Sequence, residues 1–75
     1  MDFKVFASRL KALRIEKRAT QEELARLLDV TTNHYQKIEY GQINISITVL
    51  DLLADYYRVS TDYLLGRSDE KESGR

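Results

Sequence analysis

The chain has 75 residues, with 12 Lys and Arg against 12 Asp and Glu, one His, three Gly, and neither Pro nor Cys. That length fits one small domain, which can bury roughly 60% of its unfolded surface; no disulfide can staple it, and a structural zinc, which takes about four Cys or His ligands, would have only His34. Its 43% hydrophobic and 32% charged content is that of a globular chain, and no apolar run approaches the ~20 residues of a membrane span or forms a signal-peptide core, so a cytoplasmic, non-membrane protein is expected.

In chain order the periodicity is helical. Asp2 can cap a first helix whose stripe is Phe3, Phe6, Leu10 and Leu13, fading near Lys17 and Arg18 where basic side chains suit the negative helix end. Thr20-Gln21-Glu22-Glu23 is a capping box that opens a second helix, with Leu24, Leu27 and Leu28 on its apolar face and an end near Leu28. Thr31 can cap a third helix carrying Tyr35 and Ile38, closed by Tyr40 and by Gly41 in a left-handed conformation. Ser46 can cap a fourth, with Leu50, Leu53, Ala54 and Tyr57 on one face and Ile45 stapled to Leu50. Ser60 or Thr61 opens a short fifth helix over residues 62–65, stopped by Gly66. The domain is read as residues 1–68, followed by a flexible charged tail over 69–75.

Charge is polarised along the chain. Residues 1–28 hold seven basic and four acidic side chains, a net +3, whereas residues 29–50 are at −1 and residues 51–75 at −2. The overall balance of zero does not by itself suggest a polyanionic partner, but the distribution leaves one basic end.

Two short helices joined by a tight turn form a helix-turn-helix corner, a weak signal taken alone. The string TQEELARLLDVTTNHYQKIEYG, with RLKALRIEK before it and LDLLADYYRVSTDYLLGRSD after it, resembles the XRE-type helix-turn-helix family of phage-repressor-like DNA-binding proteins over residues 3–69. The resemblance implies an all-α, compact five-helix, lambda-repressor-like domain with the helix-turn-helix at the second and third helices. It also implies a DNA phosphate contact at Gln21 and a second such segment at Gly41 and Gln42. Base contacts are implied at the outward positions Thr32, Asn33, His34, Gln36 and Lys37, and a largely buried ion pair between Arg14 and Glu39. Independently of it, Asn33 and Gln36 offer bidentate amides suited to adenine, Lys37 can donate to guanine, and the Thr32 methyl can touch a thymine methyl. Lys37 is the sole cation of that segment, so phosphate binding must lean on Lys11, Lys17 and Arg18. The same residue types also serve as ordinary solvated helix surface.

Three positions depart from the family pattern. Asp29 stands where Gly is usual in the turn, Ile45 where Pro is common, and Tyr40 where Arg or Asn is frequent, exchanging a phosphate contact for a hydroxyl. Beside the core stripe of the fourth helix lies a second one, Val49, Leu52 and Tyr56, which with Tyr63 and Leu64 either forms a homodimer seam or closes over the first and last helices of one monomer. A two-fold dimer would set two recognition helices about 34 Å apart on a near-palindromic operator.

The expected function is sequence-specific binding of double-stranded DNA by a small transcriptional repressor. The alternative is a protein-interaction module, antitoxin-like or adaptor, on the same fold, which zero net charge and the acidic C-terminal segment favour. No catalytic residue, metal site, cofactor or small-molecule ligand is expected, because Ser, His and Asp occur in no nucleophile, phosphate-cradle or ligand setting.

Overall fold

A computed structural model describes residues 3–71. Five α-helices follow in order: α1 (Phe3–Glu16), α2 (Gln21–Leu28), α3 (Thr32–Glu39), α4 (Ile47–Tyr57) and α5 (Thr61–Leu64). The expected Asp2 cap lies outside the described residues. Four helices start the same way, with a hydroxyl accepting from the backbone N–H three residues on: Thr20 from Glu23, Thr31 from His34, Ser46 from Val49 and Ser60 from Tyr63, at 2.9–3.1 Å. Each such cap contributes about 1 kcal/mol. Ser60, rather than Thr61, is therefore the residue that opens α5, and the helix begins one residue earlier than its apolar pattern suggests.

All five helices end alike as well. Arg18, Asp29, Gly41, Arg58 and Gly66 have φ between 55° and 78°, and the following N–H reaches back five residues to a carbonyl, as in Ala19 to Arg14, Val30 to Ala25 and Val59 to Ala54, each at 3.0 Å. These are Schellman closures. Only two of the five use glycine, and a side chain in this conformation costs roughly 1–2 kcal/mol. Burial offsets that cost: Ala19 and Val59 are buried just beyond Arg18 and Arg58, and Val30 packs on the core just beyond Asp29. At Gly41 a side chain would additionally meet the Phe3 carbonyl oxygen at 3.0 Å, and at Gly66 it would strike the Val5 methyl at 2.6 Å.

Phe6, Leu10, Leu24, Tyr35, Leu53 and Leu64 are the largest fully buried side chains. Around this centre α1 packs on α3 and α5, α2 on α3, and α4 on α5, so the corner between α2 and α3 is held from behind by α1. Leu27 departs from expectation: it is 37% exposed, because the α2 stripe centres on Leu24, Ala25 and Leu28 and leaves Leu27 on its edge. The α3–α4 loop lacks the family's proline, and there the Asn44 side chain accepts the Ile45 N–H at 2.9 Å. Ile45 and Leu50 both pack against the core, in keeping with the expected staple.

The segment after α5 is held by one guanidinium. Arg9 donates to the carbonyls of Tyr63 and Ser68, each at 2.6 Å, and to Asp69 Oδ1 at 2.8 Å, and it lies 4.3 Å from the centre of the Tyr63 ring. Lys71 adds an ion pair with Glu16 at 3.2 Å, and its carbonyl accepts the Ser60 N–H at 2.9 Å. These contacts reach into the stretch expected as a charged tail, and the cation that meets residues 68 and 69 sits on α1, some 60 residues upstream; residues 72–75 lie outside the described residues. No helix among the described residues is long and apolar enough to cross a membrane.

Candidate nucleic-acid interface

The N-terminus of α2, the start and end of α3 and the middle of α1 enclose an open cleft of about 580 Å³ lined by Lys11, Arg14, Thr20, Gln21, Thr32 and Tyr40 among others. Its floor is an ion pair. Arg14 Nε lies 2.9 Å from Glu39 Oε2, Arg14 Nη2 lies 2.9 Å from Oε1, and the remaining Nη1 donates to the Ala19 carbonyl at 3.1 Å. The Glu39 side chain is wholly buried and that of Arg14 is 15% exposed. One fork thus ties α1 to the end of α3 and to the loop that leads into α2, fixing how the two helices of the corner present their outer faces. The hydrogen bond to Glu39, more than its charge alone, raises the Arg14 pKa above its ordinary value, so the guanidinium stays charged at any physiological pH.

The Tyr35 and Tyr57 hydroxyls are buried near this pair without a hydrogen-bond partner among the described residues. Burial is the main reason both phenols are held protonated well above the ordinary tyrosine value of 10.0; the Glu39 carboxylate reinforces it at Tyr35, and Tyr56 and Glu39 do so at Tyr57. The unfolded chain surrenders these protons first, so the stabilisation is intact below about pH 10 and is lost as pH rises beyond it. Urea unfolding midpoints are expected to fall between about pH 9 and pH 11, and to fall less in Tyr35→Phe. Equal slopes for both proteins would contradict the assignment.

On α3, Asn33, His34 and Lys37 are exposed, whereas Thr32 and Gln36 are half-buried on the flank nearest α2. The Gln36 amide is already engaged: its Nε2 donates to Gln21 Oε1 at 3.0 Å. Of the residues expected to meet phosphates, Lys11, Gln21 and Tyr40 share the cleft, while Arg18, Gly41 and Gln42 sit in the turns that close α1 and α3. Lys17 is placed elsewhere. Its ammonium stacks 3.7 Å from the Tyr56 ring centre and donates to the Tyr56 carbonyl at 3.3 Å, drawn to the electronegative end of α4 and away from the cleft.

The expected dimer seam is also altered. Leu64 is fully buried within the monomer, because α5 lays it against α1 and α4, and it is removed from any surface. Tyr63 is half-buried under Arg9, and Val49 and Tyr56 are half-buried against the core, leaving Leu52 at 40% exposure. Ile47, unremarked in the sequence because it belongs to no stripe, is 85% exposed at the start of α4. Its only sequence signal is an isolated apolar residue directly after a helix cap.

A two-helix corner with a polar outward second helix, backed by a third helix through a buried ion pair, defines a helix-turn-helix domain. The helix-turn-helix family model matches residues 10–64, and the chain belongs to this family, of the XRE type. It is 36% identical over 64 residues to the HTH-type transcriptional regulator PrpR of Mycobacterium tuberculosis (strain ATCC 25618 / H37Rv), a match covering 85% of this chain and 13% of that protein. It is 36% identical over 61 residues to the SPbeta prophage-derived uncharacterized HTH-type transcriptional regulator YonR of Bacillus subtilis (strain 168), covering 81% of this chain and 56% of the relative. The chain thus spans only part of the length of these curated relatives. No solved structure matches significantly.

Proposed function

We propose that the protein is a sequence-specific, double-stranded-DNA-binding transcriptional regulator of the cytoplasm, a small repressor that occupies a near-palindromic operator as a homodimer. The observation that carries this reading is the adjacency of two surfaces: the exposed Asn33, His34 and Lys37 on α3, and the cleft at the α2 N-terminus where Lys11, Gln21 and Tyr40 meet. Exposed amide and ammonium groups on a helix suit base edges in the major groove, and donors at a helix N-terminus suit phosphate oxygens. Membership of the helix-turn-helix family, and the naming of both relatives as HTH-type transcriptional regulators, support it. The dimer part rests on Leu52, an exposed apolar side chain of α4 whose helical stripe includes the half-buried Val49 and Tyr56.

Selection of bound duplexes from a random DNA pool tests both parts. An enriched motif made of two inverted half-sites about one helical turn apart supports a dimeric regulator. Failure to enrich any duplex overturns DNA binding, and an asymmetric motif bound by a particle of monomer mass overturns the dimer.

A further inference from the structure

The hydrogen bond between Gln36 and Gln21 gives these two amides different roles. Gln21 is the first residue of α2 and lines the cleft, and Gln36 lies on the α3 flank facing α2, one turn beyond Thr32. The donor is Gln36 Nε2 and the acceptor is Gln21 Oε1, 3.0 Å apart. A primary amide has one acceptor oxygen and one amino group with two donors. With its oxygen occupied, the free end of the Gln21 side chain is its amino group. A phosphate oxygen can only accept, so this is the orientation in which Gln21 can bind one; the opposite orientation would set oxygen against oxygen.

We infer that Gln36 is a positioning residue that fixes the Gln21 amide with its amino group available to a DNA backbone phosphate, and that Gln36 does not itself read a base. The inference rests on the DNA-binding reading above. It divides α3 into two sides. Asn33 and Lys37, exposed and four residues apart, form the side open to base edges, and Gln36 couples the placement of α3 to the phosphate anchor on α2. Base preference and backbone anchoring are then set by different residues of one eight-residue helix.

The test is a double-mutant cycle on the full chain, with the operator and an unrelated duplex as ligands. Gln36→Ala is expected to weaken both duplexes by about fivefold, the loss of one neutral hydrogen bond, and to leave the order of base preferences in a random-pool selection as in the wild type. In a Gln21→Ala background the same substitution is expected to cost less than about twofold, because the group it positions is gone. Gln36→Met, which keeps the side chain's length and removes the amide, repeats the cycle and separates the effect from any loss of packing. Equal losses in both backgrounds, or a base preference altered at one operator position, overturn the inference while leaving DNA binding intact. A wild-type chain that enriches no duplex overturns the DNA-binding reading and this inference together.

Discussion

Glu39→Ala is expected to cost about 3–5 kcal/mol of folding stability and to lower the thermal midpoint by at least about 15 °C. The reason is what remains behind. Glu39 is wholly buried and answers the Arg14 guanidinium through both carboxylate oxygens, so its removal leaves a nearly buried cation with only the Ala19 carbonyl as partner. A domain of this length has a total stability of roughly 4–11 kcal/mol, so the loss is a large fraction of the whole. The intact pair is itself a modest net stabiliser, because desolvating both charges offsets most of their attraction. Removing both charges is therefore expected to hurt less than removing one: Arg14→Met with Glu39→Leu should recover more than half of the single-variant loss, read by circular dichroism melts. A Glu39→Ala protein that melts within about 3 °C of the wild type would contradict the role given to this pair.

Asn33→Ala and Lys37→Ala are expected each to weaken the selected operator by about 1–3 kcal/mol, roughly 5- to 150-fold, and to relax base preference at one operator position. Both side chains are exposed on α3 and neither contributes to the core, so the circular dichroism spectrum and the melting midpoint should be those of the wild type. Lys11→Ala supplies the contrast. Lys11 lines the cleft rather than the outward face of α3, so its loss should weaken all duplexes alike and reduce the slope of log affinity against log salt by about 1. An unchanged preference profile in both α3 variants would remove Asn33 and Lys37 from base recognition.

The helices, their starts and most of their ends were legible in the sequence because each signal is local. A hydroxyl caps the N–H three residues away, a stripe repeats every three or four residues, and Asp29 sits one residue, and Gly41 and Gly66 two residues, past a helix end. Arg18 and Arg58 adopt the same left-handed closure with no glycine to announce it, because burial of Ala19 and Val59 beyond them makes the conformation worthwhile. Arg14 and Glu39 were legible through resemblance to the family. Their fork geometry and the two buried phenols beside them were not, since three helices must first converge.

The sequence by itself determined the all-helical class, the order of five elements and the polar outward face of α3, all properties of neighbours within about one helical turn. The tertiary structure alone decided which side chains were still free to act. It withdrew Leu64 into the core, carried Lys17 to Tyr56, spent the Gln36 amino group on Gln21 and pinned residues 68–69 to Arg9. Those contacts join residues 15 to 60 positions apart, where a donor cannot be assigned its acceptor until packing has brought the two helices together.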